Sequence, residues 1–145
     1  MSDLVPIAPV ITFVCYGLTA LIALGFGLIY LTRSQFMPYH RDALQRDWHE
    51  LDPQIQTLIL ALMRVAGGGW LAAGIATTWL LWIPLPAGAP WAVNAIPAIG
   101  LPIALASLYA TRLVRSRTPG NPPMGLAIGA IGLLLLGCLC AQDWG

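Results

Sequence analysis

The sequence contains no lysine and few charged residues of any kind. Charged residues make up 9% of the chain, against about 25% in an average soluble domain. With 58% hydrophobic residues, the polar surface is too small to cover a water-facing globule, so lipid must cover the rest. The net charge of +1 argues against a nucleic-acid partner.

The motifs of several enzyme classes are also missing. The chain has no phosphate-binding loop, dinucleotide fingerprint, H-E-x-x-H motif or nucleophile elbow. The three cysteines do not form a C-x-x-C pair, which removes the pattern of a thiol-redox enzyme, and we expect them to act as small apolar side chains. We therefore predict no catalytic residues, no metal site and no cofactor.

Long apolar runs fill most of the 145 residues. None contains Lys, Asp or Glu, and each is close to the roughly 20 residues that a helix needs to cross a bilayer. We predict an all-α integral membrane bundle, a single domain over residues 1–145, with spans at about 10–31, 58–83, 91–114 and 124–141. The leading segment 1–9 has no Arg, so we interpret the first run as a retained span and not as a cleaved signal.

The arginines predict how the chain crosses the membrane. They cluster between spans one and two (Arg33, Arg41, Arg46) and after span three (Arg112, Arg115, Arg117), whereas both tails and the 84–90 link lack basic residues. Positive segments stay cytoplasmic, so we predict both termini in the periplasm and a bacterial inner-membrane location. Amphipathic tryptophans support this orientation, because four of them fall near the predicted outer boundary: Trp79, Trp82, Trp91 and Trp144.

The segment before span two is the only polar stretch of any length. Leu44, Trp48 and Leu51 recur in it at helical spacing, which predicts an interfacial helix at about 40–51 with Leu44 and Trp48 inserted into the membrane. Asp52 and Pro53 then predict the start of the next helix, as N-cap and first helical residue.

Four polar residues of this segment are candidate interfacial side chains: His40, Asp47, His49 and Glu50. On one helix His40 and His49 would lie about 180° apart, so they could not share a metal unless the helix broke between them. We interpret the four as polar residues at the membrane surface.

Arg64 is the only charge well inside an apolar stretch, and three glycines follow it at Gly67, Gly68 and Gly69. We place it roughly 3–8 Å inside the inner boundary, which an arginine can reach by snorkelling. The first interpretation is an anchor paired with a nearby carboxylate, for which the candidates are Asp47, Glu50 and Asp52. The alternative is an anion or phospholipid head-group site lined by Arg64 and the glycine backbone. The glycines themselves predict close helix packing first and a functional kink second.

Small residues and prolines mark further candidate contacts. Gly125-x-x-x-Gly129 in span four and an Ala98, Pro102, Ala106, Ala110 stripe in span three are typical of helix-packing faces. In span three Pro97 and Pro102 could kink the helix. Asn94 could bond Thr78 across the short hairpin, since both lie near the predicted outer boundary.

One part of the sequence resembles a known pattern. A set of residues around the start of span two resembles a pattern in small four-helix bacterial inner-membrane proteins. The set consists of Phe36 to His40, Trp48, Leu51, Pro53, Ala61 to Arg64 and Gly67 to Trp70. The resemblance covers about 35 residues and implies the fold without a function.

Three functions remain open from the sequence. The leading hypothesis is an accessory membrane protein acting through helix contacts with itself as a homo-oligomer or with a larger membrane complex, because little polar chemistry projects into the membrane. The alternative is a small oligomeric channel or carrier for an anion or lipid head group, using Arg64 and Gly67 to Gly69. The third is a membrane enzyme acting on a lipophilic substrate.

Overall fold

The computed structural model describes residues 7–142, which contain five α-helices and no strand. The helices are α1 (Ile7–Thr32), α2 (Pro38–Leu44), α3 (Pro53–Trp82), α4 (Pro90–Arg117) and α5 (Met124–Ala141), and a 3-10 turn lies at Trp48–Glu50. The predictions for the two tails, including the position of Trp144, lie outside the described residues.

Four of the helices, α1, α3, α4 and α5, are long and apolar enough to span a membrane. The longest, α3, has 30 residues, or about 45 Å, against a hydrocarbon core of about 30 Å. Large apolar side chains point outward along them, and Leu21, Leu62 and Leu139 are 61–70% exposed. The prediction of an all-helical chain with four long apolar helices is confirmed, and such helices indicate a multi-pass membrane protein.

The start of α3 follows the predicted capping. The Asp52 carboxylate accepts the Gln54 N–H at 2.8 Å, and Pro53 occupies the first helical position, where its missing N–H removes no helical bond. At its other end α3 passes into a short turn that leads directly to α4, so the two helices form a tight hairpin. Leu85 in this turn is buried and closes the hairpin end of the bundle.

The long helices form a ring in which α1 packs on α3 and α5, and α4 packs on α5 and α3. The core at the hairpin end centres on four fully buried side chains: Tyr16, Leu85, Ile96 and Leu134. The opposite end of the ring carries α2, and we call it the α2 end.

Glycines allow α1 and α3 to cross closely. A Cβ on Gly27 would lie 2.7 Å from the Leu71 backbone nitrogen, and a Cβ on Gly67 would lie 2.9 Å from the Tyr30 Cβ. By contrast, Gly68 has open space around it. Because α3 continues as one helix through all three glycines, it does not unwind there, and the contacts at Gly67 favour the packing interpretation.

Of the two prolines inside α4, Pro97 is compensated from another helix. Pro97 has no N–H, so the Val93 carbonyl four residues earlier lacks its usual helical donor. The Tyr16 hydroxyl of α1 donates to that carbonyl at 3.1 Å, and Tyr16 is fully buried. This bond lets α4 continue through Pro97 and links it to α1.

The bond between Asn94 and Thr78 is not formed. The Thr78 hydroxyl instead donates to the Gly74 carbonyl of its own helix at 2.8 Å, and Asn94 is exposed. A threonine in a helix can satisfy its hydroxyl locally on the carbonyl four residues earlier, which removes the need for a cross-hairpin partner.

The prediction of a single interfacial helix at 40–51 is wrong. α2 ends at Leu44 because Gln45 takes a left-handed conformation, with φ 53°. The chain restarts at Asp47, whose N–H donates to the Glu50 carboxylate at 3.1 Å as the 3-10 turn begins. Glu50 therefore caps a new turn and does not continue the helix begun at His40.

Trp48 packs inside the protein and does not extend into lipid. Its ring lies edge-on to Phe36 with centroids 5.1 Å apart, and both are buried together with Leu51 and Met63. Trp48 and Leu51 are thus buried against α3, while Leu44 stays 45% exposed.

Candidate functional site

Arg64 caps the end of α1. Its Nη1–H donates to the Tyr30 carbonyl and its Nη2–H to the Arg33 carbonyl, both at 2.8 Å. The last carbonyls of a helix have no helical donor, and the partial negative charge at that end attracts a cation. The guanidinium of α3 therefore satisfies and neutralises the end of its neighbour.

The predicted carboxylate partners of Arg64 lie elsewhere. Among residues 7–142 the one ion pair within 4 Å joins Arg41 to Asp42 at 3.6 Å, and both side chains are about half exposed. Such exposed pairs contribute little to stability. Arg64 is thus held by backbone carbonyls and not by Asp47, Glu50 or Asp52.

The three glycines after Arg64 have different surroundings. Gly67 is buried against α1, Gly68 is open, and Gly69 meets Ile103 of α4 at an ordinary 3.6 Å. Since α3 is helical throughout, their N–H groups are part of the helix bonding and do not form an anion-binding loop. Binding of an anion or head group by Arg64 and these glycines stays a prediction, and the contacts favour a packing role.

His40 differs from the other three polar residues predicted at the interface. Asp47, His49 and Glu50 are exposed, whereas His40 is half-buried on α2. Its Nδ1 accepts the Met37 N–H at 3.3 Å. Burial lowers the pKa of His40 below its usual 6.5, so the ring is neutral at pH 7.

Two tyrosines accompany His40. The Tyr39 ring lies edge-on to the His40 ring with centroids 4.4 Å apart, and the Tyr39 hydroxyl is hydrogen-bonded to the Tyr30 hydroxyl of α1. Burial, reinforced by this bond, raises the pKa of Tyr39, so its hydroxyl stays protonated across the physiological range. The bond ties α2 to the end of α1.

These residues line a cavity of about 250 Å³ at the α2 end, which we call the central cavity. All four long helices and α2 contribute to it. Its aromatic walls are Phe26, Tyr30, Tyr39, His40 and Trp70. On the α4 side Ser107 and Thr111 add hydroxyl groups.

A second cavity of about 400 Å³ adjoins the first, and we call it the α2–α3 groove. Tyr30, His40 and Ala66 line both spaces, so His40 stands where they meet. The rest of the groove is apolar, with Leu62 and Met63 among its walls. Small-molecule sites commonly lie between helices, so the central cavity and the α2–α3 groove together form the candidate site.

Sequence reasoning identified His40 but missed the cavity. It placed His40 on a helix with His49, and the structure separates them into α2 and the 3-10 turn. Among the described residues no group of three or more His, Cys, Asp or Glu side chains could hold a metal ion. No sequence signal marks Trp70 or Thr111 as neighbours of His40, because the three lie on different helices.

Comparisons of the chain with protein-family models, with curated proteins and with solved structures found no match. The resemblance to small bacterial inner-membrane proteins therefore stays a resemblance, and the function has to be argued from the residues.

Proposed function

We propose that the protein is a small accessory protein of the bacterial inner membrane that works by helix–helix contacts, with itself or within a larger membrane complex. In this proposal α2 and the arginine-rich links lie in the cytoplasm and both termini lie in the periplasm. The distribution of arginines supports that orientation.

The observation that carries the proposal is the outward glycine face of α5. A Cβ on Gly125, Gly129 or Gly132 would meet nothing within 4 Å. The opposite face of the helix holds the core residues Ala130 and Leu134. Small residues let helix backbones approach closely in a bilayer, and here the space they leave lies outside the bundle. The glycine face is thus available to a helix of another chain.

A second small-residue face lies on α4. Ala98, Pro102, Ala106 and Ala110 are all exposed, although the stripe is typical of packing within a bundle. The two faces belong to neighbouring helices, since α4 packs on α5. Ala110 also lines the central cavity, so the part of the stripe open to a partner helix is Ala98 to Ala106.

Native mass spectrometry of gently extracted protein tests the proposal. We expect wild type to appear as an oligomer or in a complex, and Gly129→Leu to shift the distribution toward the free monomer. Gly68→Leu is the matched control, because a side chain at Gly68 also enters open space without disturbing the fold.

Comparison of Gly129→Leu with Gly68→Leu decides between the outcomes. Loss of the assembly in Gly129→Leu but not in Gly68→Leu supports contacts through the α5 glycine face. A wild-type protein that is wholly monomeric in native lipid, or an assembly that Gly129→Leu leaves intact, overturns the proposal.

A further inference from the structure

We propose that the central cavity binds a neutral, lipid-soluble molecule with a flat ring head group bearing carbonyl oxygens, as in a quinone, and that its apolar chain lies in the α2–α3 groove. This site does not depend on the glycine face of α5, so the two proposals can fail separately.

The lining offers no charged side chain to a ligand. No Arg, Asp or Glu of the described chain lines the central cavity or the α2–α3 groove. Arg64 follows Met63 of the groove along the chain, and its guanidinium donates to the carbonyls of Tyr30 and Arg33. Moving an ion out of water into a space without a partner charge is strongly unfavourable, which favours a neutral ligand.

Two groups at the cavity are free to donate a hydrogen bond, which favours a ligand with acceptor oxygens, whereas the Thr111 hydroxyl already donates to the Leu108 carbonyl at 3.0 Å. His40 accepts a hydrogen bond at Nδ1, so its neutral ring carries the proton on Nε2. No residue in the described part of the chain accepts a hydrogen bond from that Nε2–H. The bond between the Tyr30 and Tyr39 hydroxyls uses one of their two protons and leaves the other available. A ring with carbonyl oxygens fits such donors.

The aromatic walls favour a flat head group. Phe26 and Trp70 lie with ring centroids 5.8 Å apart and planes inclined at 32°. Rings of this kind stack on a flat partner or meet it edge-to-face, with a gain beyond simple burial of about 0.5–1.5 kcal/mol per pair. A bulky branched head would lose these contacts in a space of about 250 Å³.

We place the entrance between α3 and α4, where exposed residues of both helices line the cavity. Ala66 and Ala110 line the central cavity and are themselves exposed, so two methyl groups stand at its opening. Ala66 also lines the α2–α3 groove, whose apolar surface continues over Leu62. A ligand dissolved in the bilayer could enter between the helices, with its apolar chain lying along that groove.

Thermal unfolding of the full chain in lipid nanodiscs tests the proposal, with decylbenzoquinone as the probe. A ligand that binds only the folded state raises the Tm in a saturable way. We expect this rise with decylbenzoquinone and none with decylbenzene, which has the same chain and no carbonyl oxygen. Equal shifts with the two compounds, or no shift with either, overturn the proposal.

Variants locate the site. We expect His40→Leu and Ala66→Phe to weaken the apparent affinity about tenfold or more, through loss of a donor and obstruction of the entrance. His49→Leu and Ala72→Phe are matched controls on exposed positions outside both cavities and should bind as wild type does.

His40→Gln separates a lost hydrogen bond from a disturbed fold, because glutamine keeps an N–H donor. We expect it to retain most of the affinity that His40→Leu loses. Wild-type binding in His40→Leu or in Ala66→Phe shows that the probe lies elsewhere and overturns the assignment.

Discussion

Replacing Tyr16 by phenylalanine removes one hydroxyl from the interior and leaves the ring in place. That hydroxyl is the donor to the Val93 carbonyl, which has no helical donor because Pro97 follows four residues later. Tyr16 is fully buried and Val93 is 8% exposed, so water has little access to the orphaned carbonyl. The variant therefore tests whether this single bond supports α4 at its proline.

The expected loss of stability is larger than for an average membrane hydrogen bond. Such bonds contribute about 0.6 kcal/mol on average and about 1.7 at most. That average includes bonds whose partners find another donor, which the Val93 carbonyl cannot do inside α4. An unsatisfied buried acceptor costs about 1–3 kcal/mol, so we expect about 1.5 kcal/mol for Tyr16→Phe.

A double-mutant cycle measures the coupling. The free energy of unfolding would be determined in mixed micelles for Tyr16→Phe, Pro97→Ala and the double variant. Pro97→Ala restores an N–H to the Val93 carbonyl, so we expect Tyr16→Phe to cost less in that background, by about 1 kcal/mol. Tyr109→Phe, at a position 70% exposed, should change stability by less than about 0.5 kcal/mol. If Tyr16→Phe costs the same in both backgrounds, the compensation argument is refuted.

Three further predictions use the same unfolding assay. Gly67→Ala should destabilise the folded protein by about 1–3 kcal/mol, because the added Cβ meets the α1 backbone. Gly68→Ala should stabilise it by up to about 1 kcal/mol, because alanine favours the helix and its Cβ enters open space. Equal effects of the two variants would contradict the packing assignment. Arg64→Ala should lower the free energy of unfolding by about 1 kcal/mol even in anion-free buffer, because the Arg64 side chain caps α1. A loss of stability seen only with added phosphate would favour the anion site instead. Burial lowers the pKa of His40, so His40 takes up a proton less readily in the folded state than in the unfolded state. The stability of the folded state is therefore complete above pH 6.5 and falls as the pH drops through the lower folded-state pKa. His40→Gln should remove this acid loss and His49→Gln should keep it; an unchanged pH profile in His40→Gln would show that His40 does not cause it.

The candidate site was only partly accessible to sequence reasoning. Arg64 was recognised as unusual from its place in an apolar run, but its partners are carbonyls 31 and 34 residues earlier in the chain. A backbone carbonyl has no signature in the sequence, so the pairing with a carboxylate was the natural expectation and was wrong. His40 was noted as polar, and its neighbours in the cavity come from helices whose relative rotation no local pattern reveals.

The sequence by itself determined that four long apolar helices form and that α3 begins at Pro53, because hydropathy and N-capping act over one helix or one turn. Only the tertiary structure decided that α2 stops at Gln45, that Gly67 and not Gly68 meets α1, and that Tyr16 supplies the bond Pro97 removes. These features depend on which helix faces meet. Packing between residues distant in sequence chooses those faces, and several rotations of an all-apolar helix satisfy the same local pattern.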